Sequence, residues 1–477
     1  GSCARSDKRN RYMILCGSCT VIRMGKQHKM TGKKDTKDKM ALSNHMNICW
    51  HDYTDVNAQK AVTKANLPEK AAFVGRMGLM LLSCGTGAWR VRESMNSLAG
   101  QLGLTCTANI GLMSIDYTCF DGERSFSQSL SLANTGVNTS KLNRLERFIH
   151  EFPEKGARMS AAEIHTELDA IEASGGLYSP ALLGLASALA CGAFAFLLGG
   201  GWSIVICSFL GAGAGNYLRS LLLKRRYTLF MCIPVSVGAA CLTYAGMLCL
   251  GVWLFGVSPE QEAGYICAML FMIPGFPFIT SGIDLAKLDM RSGLERLAYA
   301  VIVVLVASLT AWAAAGMLKL QPLDFSAREI SPVPLFFLRL LASFCGVFGF
   351  SVMFNSSFPI ALSAALIGMA ANTLRLELTD VFSLHPAAAA FLGALTAGIL
   401  ASCLNGPLGY PRISLTVPAA VIMVPGLYLY RAVYNLGEMA LTESVSWFAS
   451  ALLDIIMLPA GLVTARILTD RRFRHCT

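Results

Sequence analysis

The chain has 477 residues, of which 54% are hydrophobic and only 15% charged, and its formal net charge is +10. Soluble globular proteins carry about 25% charged residues, so this composition excludes a chain that is water-soluble throughout. The charge is also uneven: residues 1–175 hold most of it, and from Leu177 onward long apolar stretches follow one another, which predicts a soluble part followed by a membrane part.

Residues 1–65 read as a basic, disordered tail, with 13 Lys/Arg against 5 Asp over residues 1–67. Aromatic residues are sparse there and no recognition fold is visible. The expected partner is therefore anionic lipid at the membrane surface, not nucleic acid. The apolar run at 13–22 is too short and interrupted for a signal peptide. Cys16 and Cys19, with His45, Cys49 and His51, can be drawn as a metal site, but their spacing fits no common zinc pattern, so no metal and no cofactor is expected. Most of the 16 cysteines are scattered, many inside apolar spans, where a free thiol acts as a small hydrophobe.

Residues 66–175 predict a small cytoplasmic α+β domain. Asn66, Pro68 and Glu69 announce a first helix, in which Phe73, Met77, Met80 and Cys84 recur at helical spacing until Gly85-Thr86-Gly87. A second helix aligns Val91, Met95, Leu98 and Leu102. Ile115, Tyr117 and Cys119 then alternate up to Asp121-Gly122, a hairpin signal, and Phe126, Gln128, Leu130 and Leu132 alternate after it. Two helices follow, one lined by Leu142, Leu145 and Ile149, the other by Ile164, Leu168 and Ile171 behind a Ser160…Glu163 capping box. No phosphate-binding loop is present, since the Gly85-Thr86-Gly87 segment lacks the lysine, so ATP hydrolysis is not expected.

Beyond 177, ten segments approach the ~20 residues needed to cross the hydrocarbon core. Five lie in 177–320 and five in 333–470. With the soluble domain inside, the inner loops hold Arg219, Lys224, Arg225, Arg226, Lys287, Arg291, Arg296, Arg412, Arg466, Arg471, Arg472 and Arg474. The outer loops hold only Lys319, Arg328, Arg375 and Arg431. Twelve against four places both termini on the cytoplasmic side. The segments repeat: Asn216-Tyr-Leu-Arg219 answers Asn372-Thr-Leu-Arg375, and Ile273-Pro274-Gly275 answers Val424-Pro425-Gly426. Each pair is five spans apart. An odd offset flips the second copy, which predicts a 5+5 inverted repeat in a polytopic α-helical fold.

Proline breaks inside spans persist where protein or water covers the freed carbonyl. The pair at Pro274, Gly275, Pro277 and at Pro425, Gly426, with Tyr430 and Arg431 just beyond, is the expected substrate region. Asp284 is expected at its inner mouth. Asn216 and Asn372 are candidate substrate donors or helix–helix bonds, and Arg219 and Arg375 candidate substrate groups or interfacial anchors. Asp454, mid-span, is the expected proton-coupling residue, the alternative being a structural pair with Arg339 or Arg466.

The run from Leu81 through Gly85-Thr86-Gly87-Ala88-Trp89-Arg90 to Glu93 resembles the start of the bacterial threonine/serine exporter family. So do the segments Ile273–Asp284 and Pro411-Arg412…Pro418…Pro425-Gly426. The resemblance covers about residues 70–470. It implies a secondary exporter of the cytoplasmic membrane driven by the proton motive force. Some relatives split the two halves into separate subunits associated with dicarboxylate export, while this chain looks fused. The family's soluble domain has been linked to hydrolase-like chemistry, which would involve Arg90 and Glu93. No nucleophile with a partnered base lies beside them, and helix-surface pairing is the preferred reading.

Four readings follow: a proton-coupled exporter of threonine/serine-like amino acids, a dicarboxylate exporter, a membrane-anchored enzyme or regulatory module acting through residues 66–175, and a passive channel, whose flux would be indifferent to pH. The Gly/Ala-rich helices would also permit a homo-oligomer.

Overall fold

The computed structural model describes residues 48–54, 60–256, 263–322, 324–325, 330–471 and 473–474. The tail through residue 47, with Cys16, Cys19, His45 and the run 13–22, lies outside the described residues, as do most of the loop at 256–264, Arg328 and Arg472.

The soluble domain begins with α1 (Leu67–Ser83), whose Asn66 side chain accepts the Glu69 N–H at 3.0 Å. Helix α2 (Ala88–Gln101) follows. Three antiparallel strands, β1 (Thr105–Ile110), β2 (Ser114–Phe120) and β3 (Ser125–Ser131), form a sheet in the order β1-β2-β3. Then come α3 (Thr139–Glu151) and α4 (Ala161–Ala173), the latter opened by the Ser160/Glu163 capping box. Strand β1 was not foreseen. Its inward residues Cys106, Ala108 and Ile110 alternate with Thr105, Thr107 and Asn109, though two of the three are small.

The fold starts earlier than Asn66. Val62 is fully buried in the domain core and its N–H bonds the Met159 carbonyl at 2.8 Å, while Trp50 stacks on His165. Cys49 is exposed and His51 pairs with Asp169 at 2.7 Å. Among the described residues no group of His, Cys, Asp or Glu is arranged to hold a metal ion.

Arg76 is buried beside His165 and bonds its carbonyl at 3.0 Å. Burial, and then the Arg76 cation, push the His165 imidazole down to about 4. A histidine whose folded pKa lies below its unfolded value of about 6.5 destabilises the fold as pH drops through that window, here by up to about 3 kcal/mol. Thermal unfolding of the purified chain in detergent between pH 7 and 4 is therefore expected to fall more steeply for wild type than for His165→Gln. Equal slopes would refute this.

The membrane part comprises α5 (Pro180–Leu197), α6 (Trp202–Lys224), α7 (Leu229–Phe255), α8 (Gly264–Met269), α9 (Gly275–Ala286) and α10 (Met290–Leu318). It continues with α11 (Pro332–Met353), α12 (Phe358–Asp380), α13 (Pro386–Leu408), α14 (Arg412–Val421), α15 (Gly426–Gly437) and α16 (Leu441–Thr469). Among the described residues seven of these helices are long and apolar enough to cross a membrane, and up to nine if each bent pair, α8/α9 and α14/α15, counts as one span. Helix α6 is not among them: Gly211, Gly213, Gly215, Asn216 and Arg219 dilute its apolar character.

Large apolar side chains such as Phe230, Trp253 and Phe337 point outward, whereas Ala, Gly and Ser fill the helix interfaces. Lipid is as apolar as a leucine core, so close backbone approach between small residues holds such helices together. A Cβ on Gly461 of α16 would sit 2.4 Å from the Phe391 carbonyl of α13.

Candidate functional site

Two spans are broken at their Pro-Gly pairs. Helix α8, with the 3₁₀ turn Leu270–Met272, meets α9 at a bend of 57°, and α14 meets α15 at 50°. The two breaks share one backbone geometry. Pro274 (φ −81°, ψ 62°) and Pro425 (φ −78°, ψ 58°) each form an inverse γ-turn. In each the glycine N–H bonds the residue two before it at 2.8 Å, Gly275 to Ile273 and Gly426 to Val424. Proline supplies the fixed φ and carries no N–H to lose, and a new helix starts at the glycine.

The glycines also let the breaks meet. A Cβ on Gly275 would lie 3.0 Å from Val421, and one on Gly426 2.8 Å from Leu270. Nearby, the hydroxyls of fully buried Tyr265 and Tyr430 bond at 2.6 Å. The N-termini of α9 and α15, with the partial positive charge of a helix start, thus begin among buried residues of the membrane part. Pro277 sits in the first turn of α9, where its missing N–H costs nothing.

Asp284, three turns into α9, is fully buried and holds the soluble domain to the membrane part. Its carboxylate accepts the Ala88 N–H at 3.0 and 3.2 Å and the Ser292 hydroxyl at 2.9 Å, and pairs with Arg296 Nε at 3.2 Å. Arg296 in turn donates to the carbonyls of Gly85 (3.2 Å) and Thr86 (2.7 Å). A charge pair from α9 and α10 thereby clamps the loop before α2 and caps that helix's positive end. Gly87 has no room for a side chain, since its Cβ would stand 2.6 Å from Asp284 Oδ1. Around this clamp Arg92 pairs with Asp289, Arg291 with Asp116 at 3.0 Å, and the Leu112 N–H bonds Glu295 at 2.6 Å. Thr139 bonds Ser356 at 2.7 Å on the α11–α12 connection.

Between the two parts lies a cavity of about 390 Å³. Thr86, Arg90 and Glu146 form its soluble wall, and α9, α13, α14 and α16 its membrane wall, including Thr280 and Thr416 on the segments that lead to the two breaks. Arg90 is bound bidentately by Glu146 at 3.0 and 3.1 Å and by Glu93 at 2.7 Å, so this group is an ion-pair network at the cavity wall.

The remaining expected residues are dispersed. Asn216 donates to the Leu183 carbonyl at 2.8 Å; Asn372 donates to Ser343 at 2.9 Å and accepts from Arg375 at 3.1 Å. Both asparagines thus join helices. Arg219 is half-buried beside Tyr299 and Cys232. Arg431 pairs with Asp324 at 2.8 Å and lies over Trp447. Asp454 is 4% exposed and, among the described residues, faces Arg375 and His385, with Tyr428 also near. Neither structural partner expected for it is available: Arg339 binds Glu377 and Asp380, and Arg466 faces Asp470 and the Trp89 ring.

Residues 72–318, more than half of the chain, match the ThrE model of a threonine/serine exporter, and residues 339–468 match the model described as "Threonine/Serine exporter, ThrE". The chain belongs to the threonine/serine exporter family. Membership makes transport, not catalysis, the work of this family member, a multi-pass inner-membrane protein. It is similar to a "Threonine/serine exporter" of Corynebacterium glutamicum, 26% identical over 413 residues, which is 83% of this chain and 81% of the relative. It is also similar to a "Probable succinate transporter subunit YjjP" of Escherichia coli, 24% identical over 270 residues, 54% of this chain but 97% of the relative. The Klebsiella aerogenes protein of that name is 29% identical over 143 residues, 28% of this chain and 53% of the relative. No solved structure matches the chain.

In the sequence Arg296, Arg412 and Arg466 carry the orientation of the spans, Arg412 also lies in a segment of the family resemblance and Arg466 is a possible partner of Asp454, but none of them is marked as a cavity residue. No local signal tells a span-end arginine in a site from one in a headgroup layer. The glycines of Gly85-Thr86-Gly87 were legible as a helix break, but their docking role depends on residues about 200 positions away.

Proposed function

We propose that this chain exports threonine/serine-type amino acids by alternating access around the two Pro-Gly breaks, coupled to proton entry through Asp454. The single observation that carries the reading is the pair of matching inverse γ-turns packed on each other, because half-helix ends at a buried centre are the feature that discontinuous transporter helices share.

The 5+5 inverted repeat has further support. Behind each broken span comes a second matching turn: Leu288 and Met439 both have φ of 61°, and Asp289 and Ala440 both follow with inverse γ geometry. The helix contacts correspond as well. α5 packs on α6 as α11 does on α12, α7 on α10 as α13 does on α16, and α9 on α16 as α15 does on α10. On this reading α6 is the tenth span. Its Gly-rich face is buried by α7 and α8, so it needs less apolar surface than a lipid-facing helix.

The soluble domain then lies in the cytoplasm. Lys287, Arg291, Arg296 and Arg466, all counted as inside charges, contact its residues Trp89, Asp116, Gly85 and Thr86.

Cargo charge decides whether coupling is needed. A zwitterion gains nothing from the membrane potential, whereas the inside-negative potential expels a dianion unaided. One proton moving through 100 mV supplies about 2.3 kcal/mol, which sustains a roughly fifty-fold gradient of a neutral solute. The YjjP likeness keeps succinate as the second reading.

Proteoliposomes preloaded with labelled threonine or succinate separate the two. Threonine efflux that accelerates on an imposed pH gradient is the expected result. Succinate efflux driven by potential alone, without threonine flux, would replace it.

A further inference from the structure

We infer that the cavity between the soluble domain and the membrane part is a binding site for the carboxylate of a small polar metabolite, held between Arg412 and Arg466. The ligand's identity rests on the transport reading above, but the site stands on its own geometry.

Four arginines face this cavity, Arg90, Arg412, Arg466 and Arg471, against three carboxylates. Two of those carboxylates are committed: Glu146 is held by Arg90, and Asp284 by Arg296 and the Ala88 N–H. Among the described residues lining the cavity the third carboxylate, Asp470, lies near the other arginines but does not hydrogen-bond two of their donors. Its Oδ2 lies 3.8 Å from Arg412 Nη1 and 3.7 Å from Arg466 Nε, beyond hydrogen-bond distance. Among the described residues both nitrogens are buried donors with no hydrogen-bond partner.

A third such atom shares the cavity. Thr86 is fully buried and its Oγ1 is also without a partner. Buried polar atoms are ordinarily bonded, and three orphans around one polar space mark a place where a ligand supplies the bonds. Two unsatisfied guanidinium donors and a local excess of positive charge select an anionic acceptor, and guanidinium geometry suits a carboxylate.

Arg466 is kept in place without that ligand. Its guanidinium lies over the rings of Trp89 and Phe473, at 4.4 and 4.7 Å, so a soluble-domain residue orients a membrane-helix cation. The soluble domain therefore forms one wall of the site, through Thr86 and Trp89, and does more than cover it. A carboxylate entering between the two arginines replaces Asp470 as their counter-charge.

The test is equilibrium binding of labelled L-threonine and labelled succinate to the purified full-length chain in detergent. Each probe is competed with its amide, threonine amide or succinamide, which lacks the carboxylate. Saturable binding of at least one probe is expected, with its amide competing at least tenfold less well than the unlabelled acid. Arg412→Gln and Arg466→Gln are each expected to weaken binding tenfold or more, while Arg147→Gln, on the exposed face of α3, leaves it unchanged.

The site is overturned if the amide competes as well as the acid, if both cavity variants bind like wild type, or if wild type binds neither probe. The amide comparison uses wild-type protein, so a misfolded variant cannot obscure the answer. Binding with no flux in liposomes would refute export and leave the site, whereas flux with unaltered binding in both variants would refute the site and leave export.

Discussion

Asp454→Asn is expected to abolish gradient-driven threonine efflux in proteoliposomes while leaving threonine exchange across the same membrane intact. Exchange returns the carrier loaded in both directions and needs no net proton movement, whereas net export coupled through Asp454, as proposed above, needs the carboxylate to lose and regain its proton. Asp454 sits midway along α16, 4% exposed, where an uncompensated charge is costly. Among the described residues it faces Arg375 of α12, itself tied to Asn372, and His385, which begins α13 at the end remote from the cavity residues Ser402 and Asn405. Protonating Asp454 would remove the counter-charge of Arg375, so its two protonation states bury different net charges within the span, which is the change a coupling site requires. Loss of a proton-derived driving force of about 2.3 kcal/mol per 100 mV would collapse a roughly fifty-fold gradient to equality. Loss of exchange together with net efflux would make Asp454 structural; retention of both would remove it from the mechanism.

Asp284→Ala is expected to be the most destabilising single change at the junction between the two parts. It would leave the Arg296 guanidinium buried with no carboxylate and remove the acceptor from the Ala88 N–H. Breaking a buried pair from one side costs about 3–5 kcal/mol, a large share of the 5–15 kcal/mol by which a typical domain is stable. Asp284→Asn keeps an acceptor and should cost less. Removing both partners, Asp284→Ala with Arg296→Met, should recover part of the loss, because no bare charge then remains. Thermal unfolding in detergent checks the series, with limited proteolysis of the soluble domain reporting its release. An Asp284→Ala protein as stable as wild type would show that the clamp does not hold the parts together.

Much of the local structure was legible because its causes are local. Asn66 and Ser160 cap helices through bonds to residues three positions on, and the Pro-Gly pairs break spans through their own backbone chemistry. Strand β1 was legible in principle, since Cys106, Ala108 and Ile110 alternate with Thr105, Thr107 and Asn109, but only Ile110 of its inward residues is large and apolar. Helix α6 was counted as a span although its composition is not apolar enough by itself; its burial comes from the helices packed around it.

Composition, periodicity and charge asymmetry by themselves determined a soluble domain ahead of a helical membrane part, and short motifs marked the two Pro-Gly breaks and carried the family resemblance. These depend on neighbours in the chain or on sums over it. Only the tertiary structure decided that the breaks meet, that Asp284 and Arg296 clamp a loop about 200 residues distant, and that Arg412 and Arg466 share one cavity with Thr86. Arginines at span ends look alike in sequence. Which of them finds a carboxylate, a headgroup or a ligand is set by the side chains that packing brings within a few ångströms, and no spacing along the chain encodes that.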